Sequence, residues 1–440
     1  MPEKLKLLSW RDIVFVALPS LLLVIGAFWL AAQFIKPAPP DRLIISTGGE
    51  GGAYQRFAAR YKDVLARYGI ALVEKPSAGS TENLGRLRNP EFEVDAAFIQ
   101  GGTARPGEED ELVSLGDIYY EPLWIFYREA ALRGSDKLLD LKGKRVAVGG
   151  AGSGTHHLAM ELLAANGIDA KNTKLVEAGG LGLVERLQRN ELDAVFVVGP
   201  TQSSLVWALL YTPGVRLMSL THADAYTRRF PYLARLVLPR GAIDLTLDIP
   251  PHDTQLVSPM ATLLVREGMH PALIDLLMQA ASEVHGAPGV FQKPGEFPRA
   301  GHAEFPLSKE AERYYKSGKP FLQRYLPFWA ATLIDRMVVM LVPLLAVLVP
   351  LFKFAPQLYG WRVRSRIYRR YGELKFLENE LNENPDRHSR AEWLAKLDAV
   401  ETDASRIRTP LTFSDMLYTL RGHIDLVREM IIRRTASADS

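Results

Sequence analysis

Two glycine-rich loops contain the residues of this sequence that are best suited to binding a small molecule. The first is GGEGG at 48–52, and the second is GGAGSG at 149–154. Each follows a short apolar run and directly precedes a helical pattern, so free backbone N–H groups and the positive end of a helix dipole are expected together. Both features attract anions, and a carboxylate is the expected ligand. Hydroxyl groups that could orient it lie in or beside the loops, at Thr47, Tyr54, Ser153 and Thr155.

The same loops lack the residues that common catalytic motifs require. The stretch GAGSG at 150–154 has glycine where a nucleophile elbow has serine, and Thr155 stands where a dinucleotide-binding loop has its last glycine. Neither loop contains the Gly-Lys-Ser/Thr of a P-loop. His156 and His157 are adjacent, so on a helix they point about 100° apart, which is poor geometry for one metal ion. We therefore expect no catalytic residue, no metal site and no cofactor.

The two loops belong to the two halves of an internal duplication. Both halves run strand, glycine-rich loop, helix, strand, turn, helix and strand, over 43–100 and 145–198. Short apolar strands that alternate with amphipathic helices predict an α/β architecture with largely parallel sheets. The closest matches are RLRNPEFEVDAAFI with RLQRNELDAVFV, and ALVEKPSAG with KLVEAGG.

We expect the duplication to form two lobes with a cleft between them. Segment 117–132 joins the halves, and the strand-like run 258–268 should return to complete the first lobe. The first lobe then comprises about 41–118 plus 240–300, and the second about 130–230. Since open α/β sheets bind ligands outside the carboxyl ends of their strands, both glycine-rich loops should face the cleft.

Two apolar runs predict transmembrane helices. Residues 13–35 are 23 residues without a charge, and a helix of that length is about 35 Å long, enough to cross the hydrocarbon core of a membrane. The second run is 328–354. Lysine and arginine residues in 1–12 and after 354 place both ends in the cytoplasm, so the domain at 41–320 faces outward. A cleaved signal peptide and a buried soluble helix are the alternatives for the two runs.

The C-terminal segment 355–440 predicts a cytoplasmic helical hairpin or small bundle, with a turn at 382–390. Arginines between 362 and 370 are expected to set the topology and to contact anionic lipid head groups. The bundle could dock a permease or a signalling partner, or brace the second membrane helix. Three apolar stripes carry the prediction: Ile367, Tyr371, Leu374, Leu377 and Leu381; Trp393, Leu394, Leu397 and Val400; Met416, Leu417, Leu420, Ile424 and Val427.

Composition agrees with a folded protein that does not bind nucleic acid. The chain has 440 residues, of which 48% are hydrophobic and 23% charged, so disorder is excluded. Lysine and arginine number 53 against 50 aspartate and glutamate, and the formal charge of +3 is too small for a nucleic-acid partner. The absence of cysteine excludes disulfides, thiolate metal sites and a thiol nucleophile.

Six segments of 41–320, in this order, resemble the TAXI group of solute-binding proteins from tripartite ATP-independent periplasmic (TRAP) transporters. They are STGGEGGAYQRFA, AGSTENLGRL, VDAAFIQ, IYYEPLWIFYRE, DLKGKRVAVGGAGSGT and ELDAVFVVGPT. The resemblance implies a type II-like periplasmic-binding-protein fold of the Venus-flytrap kind. It also implies a small ligand, an amino acid or organic acid, that is handed to a separate multi-helix TRAP permease.

The resemblance also implies which residues face the ligand. Carried over position by position, they are Thr47, Gly48, Gly49, Gly52, Tyr54, Ser80, Asn83, Gln100, Tyr120, Glu121, Gly152, Ser153, Gly154 and Thr155. Glu50 departs from the family, because a carboxylate in this loop repels an anion unless an ammonium group or an arginine pairs with it. A solvated side chain at a helix start is the alternative.

The sequence as a whole predicts a receptor in the inner membrane of a bacterium. It passes the membrane twice, with both termini cytoplasmic and the ligand domain in the periplasm, and serves as the solute-binding subunit of a TRAP-type transporter. The membrane anchors and the cytoplasmic tail depart from that group. They favour an alternative, a sensor or scaffold protein that signals through its second transmembrane helix and its tail.

Overall fold

The computed structural model divides the chain into two units, one within Pro37–Thr332 and one formed by Met1–Lys36 and Leu333–Ser440. Most of the predicted cytoplasmic N-terminus, residues 1–9, lies outside the described residues, as does part of the linker before the ligand domain, residues 35–37. The described residues are 10–34, 38–104, 111–132, 134–301, 304–407, 409 and 411–436.

The described strands and helices follow the predicted order of elements. The strands are β1 (Arg42–Ser46), β2 (Ala71–Lys75), β3 (Ala96–Gln100), β4 (Leu112–Tyr120), β5 (Leu123–Arg128), β6 (Arg145–Ala147), β7 (Lys174–Val176), β8 (Ala194–Val198), β9 (Val215–Leu217), β10 (Ala234–Leu238), β11 (Thr254–Ser258) and β12 (Met260–Arg266). The helices are α1 (Trp10–Phe34), α2 (Ala53–Ala66), α3 (Ser80–Arg88), α4 (Gly154–Ala165), α5 (Gly182–Gln188), α6 (Ser204–Leu210), α7 (Ala223–Arg229), α8 (Pro271–His285), α9 (Lys309–Ser317), α10 (Phe328–Glu383), α11 (Arg390–Ser405) and α12 (Ser414–Ala436).

Two five-stranded sheets form the two lobes of the first unit, which confirms the predicted two-lobed α/β domain. Their strand orders are β2-β1-β3-β12-β4 and β7-β6-β8-β5-β9. The central strand of each duplicated half, β1 or β6, pairs in parallel with both of its neighbours. A two-stranded ribbon, β10-β11, accompanies them.

The sheets are mixed, which corrects the prediction of largely parallel sheets at one strand of each sheet. In the first sheet β12 runs antiparallel to β3 and β4, and in the second sheet β5 runs antiparallel to β8 and β9. A parallel strand needs a long crossover connection, whereas β5 and β12 each enter their sheet directly from a strand outside it. β12 therefore begins at the edge of the first sheet where β3 ends, and β5 begins at the edge of the second sheet where β8 ends.

The connections that carry β5 and β12 into their sheets lie side by side. The chain leaves the first sheet at Glu121 and Pro122, and it re-enters that sheet through Pro259. The backbone N–H of Glu121 donates a hydrogen bond to the carbonyl oxygen of Pro259, at 3.0 Å. We call this pair of connections the crossing, and it joins the two lobes.

Helix α2 shows why the sequence folds this way locally. Its buried residues include Tyr54, Ala58, Tyr61 and Leu65, which recur every three or four positions and therefore lie on one face. That face packs on the first sheet, where the ring of Tyr61 lies edge-on to Phe98 with 5.5 Å between centroids. Because the buried residues occupy one face of α2, the opposite face can line other parts of the lobe.

The C-terminal region is helical, as predicted. Helix α10 extends over 56 residues, without a break at the predicted boundary between membrane helix and tail at 354/355. The turn predicted at 382–390 contains the end of α10 and a capping box at the start of α11, made by Ser389 and Glu392. The buried core of this bundle comprises Ile367, Leu374, Leu377, Leu381, Trp393, Leu397, Val400, Ala404, Leu420, Ile424, Val427 and Ile431.

One helix among the described residues, α10, is long and apolar enough to cross a membrane. The comparable apolar stretch in α1 is shorter, Ala17–Leu30. The second predicted membrane helix is thus supported by length and composition. Two passes through a membrane stay a prediction.

Substitution of Trp393 tests whether the C-terminal helices form a folded core. Its side chain is fully buried, and its indole N–H donates to the carbonyl oxygen of Pro385 at 3.2 Å. We expect Trp393→Ala to lower the free energy of opening α11 by about 3–5 kcal/mol, because it leaves a large cavity. Amide hydrogen exchange of α11 in the full chain measures this. Phe376→Ala is the control, since Phe376 is 72% exposed, and equal exchange in both variants would contradict the packing.

Candidate functional site

The two glycine-rich loops lie between the central strands and the helices that follow them, as the sequence predicts. The first loop is a tight turn, in which the N–H of Gly52 donates to the carbonyl oxygen of Gly49 at 2.9 Å. A side chain at Gly52 would place its Cβ only 2.8 Å from that oxygen, so the turn requires glycine there. Gly48 lies against Tyr54, while a Cβ at Gly49 would meet no atom within 4 Å. Glu50 is exposed.

The second loop contacts the first lobe directly. The side-chain amide of Gln100 donates to the carbonyl oxygen of Gly154 at 3.0 Å. A Cβ at Gly152 would lie 3.2 Å from that of Ala78, and a Cβ at Gly79 would lie 3.7 Å from that of Ser153. The structure therefore brings Gln100, Gly152, Ser153 and Gly154 together where the lobes meet.

Asn83, Ser80 and Thr47 hold the first lobe together. The Asn83 amide nitrogen donates to the carbonyl oxygens of Thr47 and Phe98, at 2.6 and 2.9 Å. Its oxygen accepts hydrogen bonds from two serine hydroxyls, both at 2.6 Å. The Ser80 hydroxyl accepts from the backbone N–H of Gln100 at 2.7 Å. These polar side chains are buried and bonded within their own lobe, so they position the loop.

The hydroxyl groups of Ser153 and Thr155 are also engaged by the protein. Ser153 caps α4, because its hydroxyl accepts from the N–H of His156 at 3.1 Å and donates to the carbonyl oxygen of Gly150 at 2.6 Å. The Thr155 hydroxyl accepts from the N–H of Val198 at 3.1 Å. Both groups stabilise the start of α4 against β8.

Glu121 lies buried in the crossing and binds two tyrosines. Tyr54 donates its hydroxyl hydrogen to one carboxylate oxygen at 2.9 Å, and Tyr119 donates to the other at 3.1 Å. Burial is the main cause that raises the pKa of the Glu121 carboxyl to about 7, although the two hydrogen bonds oppose it. The sequence-predicted residues Tyr54 and Glu121 thus form one network.

A cavity of about 330 Å³ lies beside this network, and both lobes contribute to its wall. Helix α2 supplies Arg56 and Arg60, the end of β4 supplies Tyr120, and the loop after β8 supplies Gln202. Tyr120 is the residue of the sequence-predicted set that lines this cavity. The full lining is Arg56, Phe57, Arg60, Tyr119, Tyr120, Pro122, Pro200, Thr201, Gln202, Val284, His285, Ala287, Pro288, Gly289, Val290, Phe291 and Gln292.

The cavity wall is positively charged. Arg56 and Arg60 are four residues apart on α2, so they lie on the same side of the helix. The Arg56 guanidinium donates to the backbone carbonyl of Gln202 at 3.2 Å, which links the first lobe to the second. Within the lining that the structure describes there is no aspartate or glutamate. Sequence reasoning missed these arginines, although their spacing directly after the first loop could have indicated them.

His285, at the end of α8, brings a polar atom to the cavity wall. Its side chain is 3% exposed, and its Nε2 atom has no hydrogen-bond partner among the described residues. Burial, together with the positive charge of Arg60, lowers the pKa of His285 to about 3, so its imidazole is neutral. The ring stacks on Tyr119, with 5.3 Å between centroids. The two arginines can therefore attract an anion, and the neutral imidazole adds no further charge to the site.

One protein family and several solved structures are similar to parts of this chain. Residues 45–317 match the NMT1-like family. Among solved structures, the periplasmic aliphatic sulphonate binding protein SsuA from Escherichia coli is 15% identical over 73% of this chain and 93% of its own, with a TM-score of 0.36. SsuA from Xanthomonas axonopodis pv. citri, an alkanesulfonate-binding protein bound to MOPS, is 14% identical over 56% and 74%, with a TM-score of 0.35. The CcmR regulatory domain of Synechocystis PCC6803, in complex with 2-PG, is 13% identical over 56% and 97%, with a TM-score of 0.37.

The raised pKa of Glu121 contributes stability that is lost as pH rises. The folded state holds a proton on Glu121 that the unfolded chain releases near pH 4.5, and it loses this proton only near pH 7. The contribution of Glu121 to the free energy of unfolding should therefore fall between about pH 5 and pH 8, by up to about 3 kcal/mol, whereas the contribution of His285 rises with pH up to about pH 6.5. The Glu121 effect is therefore the difference between the unaltered protein and a variant of Glu121, since His285 is common to both. Thermal unfolding of the full chain across this range measures the effect.

Glu121→Gln should remove this contribution, because an amide does not titrate, so the stability of the unaltered protein relative to Glu121→Gln should fall as pH rises. Glu50→Gln is the matched control, since Glu50 is exposed, and it should keep the slope of the unaltered protein. A slope that is the same in both variants would show that Glu121 is not its source.

Proposed function

Since the chain belongs to the NMT1-like family, we propose that this solute-binding protein captures a carboxylate-bearing solute between its two lobes as a membrane-tethered receptor. The family is one of binding proteins and not of enzymes. Its two-lobed α/β domain is of the type II periplasmic-binding-protein kind. The ligand class, the tether and the partner are the parts that we propose.

One observation carries the proposal, the positively charged cavity to which both lobes contribute. Arg56 from the first lobe and Gln202 from the second lie on its wall and are hydrogen-bonded to each other. A ligand bound there contacts both lobes at once, so binding energy favours the closed arrangement over an open one. The glycine-rich loops, which meet where Gln100 contacts Gly154, are proposed as a second wall of the same cleft.

We further propose that the receptor serves a TRAP-type transporter in a bacterial inner membrane. The resemblance of six segments to the TAXI group supports this, and α10 supplies an apolar helix of sufficient length for a tether. With α1 as a second pass, both termini are cytoplasmic and the ligand domain is periplasmic. Two helices are too few to form a translocation path, so a separate multi-helix permease is required.

A second candidate function is favoured by the continuity of α10. Its first residue, Phe328, packs into the core of the first lobe, where its ring lies 6.2 Å from that of Tyr68. Further along the same helix, Ile367 is fully buried in the core of the C-terminal bundle. Both residues belong to α10. A sensor that signals through α10 and its cytoplasmic tail is therefore the second candidate.

A disulfide between the lobes tests capture in the cleft. A Cβ at Gly79 would lie 3.7 Å from that of Ser153, within the range for a disulfide, although the φ of +132° at Gly79 and an approach of 3.2 Å to the Ser153 Cα strain a side chain there. Because the natural chain has no cysteine, the loss of both free thiols in the double variant shows that the bond has formed. We expect the oxidised double variant Gly79→Cys, Ser153→Cys of the full chain to retain a co-purified small anion during dialysis. Mass spectrometry of the denatured protein detects the anion, and the same variant after reduction should release it.

The single variants Gly79→Cys and Ser153→Cys are the controls, because neither can lock the lobes. A molecule retained equally by all forms would place it outside the cleft. No retained molecule in any form would contradict solute capture and favour the scaffold function. Deleting α11 and α12 separates the two candidates further, since uptake by a transporter receptor should persist while the output of a sensor should be lost.

A further inference from the structure

We propose that the cavity selects a singly charged carboxylate with an apolar body, such as an arylalkanoate or a branched-chain fatty acid, and rejects α-amino acids. The inference rests on the proposed function, because it names the substrate class of the same cleft. It narrows the ligand from amino acids and organic acids in general to one kind of organic acid. The charge of the wall, its apolar surface and one buried imidazole support it.

The charges of the wall disfavour an ammonium group. An α-amino acid would bring its ammonium beside the guanidinium groups of Arg56 and Arg60, while no carboxylate is present among the described lining residues to pair with it. The carboxylates that are hydrogen-bonded to the lining tyrosines are engaged there. Glu121 accepts from two tyrosines, and Glu296 accepts from the Tyr120 hydroxyl at 2.9 Å. Like charges without a partner select against such a ligand.

The remaining wall favours an apolar body. Phe57, Val284, Val290 and Phe291 line the cavity together with several prolines. Because Arg56 and Arg60 occupy neighbouring turns of one helix, the positive charge is concentrated at one side of the cavity. A second carboxylate, as in a dicarboxylate, would lie away from both guanidinium groups, where only neutral side chains such as Thr201 and Gln292 could compensate its desolvation.

His285 completes the recognition of one carboxylate. Its Nε2 atom is buried at the wall without a partner among the described residues, and leaving such an atom unbonded is costly. The ring is stacked on Tyr119 and Nε2 is covered in the unliganded protein, so Nε2 would donate to a ligand oxygen only after a shift of the ring on binding. The neutral imidazole adds specificity for an acceptor, whereas the arginines supply the attraction for charge.

Matched pairs of ligands test the charge selection. Isothermal titration of the full chain in detergent would compare 3-phenylpropanoate with L-phenylalanine, 4-methylpentanoate with L-leucine, and succinate with L-aspartate. Within each of the first two pairs the compounds differ by one ammonium group. We expect at least one of these two acids to bind at least tenfold more tightly than its amino acid and than succinate.

Variants of the wall locate the binding. Arg56→Gln and Arg60→Gln should each weaken binding of the acid about tenfold or more, because charged hydrogen bonds to carboxylates are lost. His285→Phe keeps the stacked ring and should also weaken binding. Lys62→Gln is the matched control, since Lys62 is a cation of α2 outside the cavity lining, and it should bind normally. The unliganded melting temperature of each variant shows whether it folds.

The outcomes separate this inference from the proposed function. Tighter binding of an amino acid or of succinate would overturn the inference and leave solute capture intact, as would unchanged affinity in both arginine variants. If none of the six compounds binds, the identity of the molecule that the disulfide-locked protein retains tests the inference instead. An apolar monoanion supports the inference, any other solute overturns it, and no retained molecule overturns both proposals.

Discussion

The hydrogen-bonded crossing between the lobes is the constraint on which the rest of the ligand domain depends. Because the chain passes from β4 to β5 and returns from β11 to β12 at one place, each sheet receives an antiparallel strand next to its parallel core. The N–H of Glu121 and the carbonyl of Pro259 keep these two connections adjacent. Because the crossing holds the two sheets next to each other, the cleft forms between them. The charged wall of the cleft and the contact between the two glycine-rich loops depend on this arrangement.

The crossing also contains a group that is costly to bury, the carboxyl of Glu121. Two tyrosine hydroxyls compensate part of the cost of burying it, and one of these tyrosines stacks on His285 at the cavity wall. The charge state of the crossing and the shape of the binding wall are therefore linked through Tyr119. A polar network of this kind favours one arrangement of side chains over its competitors, at some expense in stability.

The order of elements could be predicted from the sequence because periodicity and the internal duplication are local signals. The strands and helices from Arg42 to Val198 lie where those signals indicate. The direction of β12 could not be predicted, since it depends on how the chain returns between lobes. The site was harder still: Asn83 has the right chemistry for a ligand contact but uses all its hydrogen bonds within its own lobe. Arg56 and His285 meet only after α2 and α8 have packed.

The length of α10 has a consequence for where its stability comes from. A helix of 56 residues is about 84 Å long, whereas the hydrocarbon core of a membrane is about 30 Å thick. More than half of the helix must then be in water, where a single helix is only marginally stable. The water-exposed part needs α11 and α12 as packing partners, which cover it from Ile367 onward. The bundle is thus a condition for the helix to exist at this length, whether or not another protein binds it.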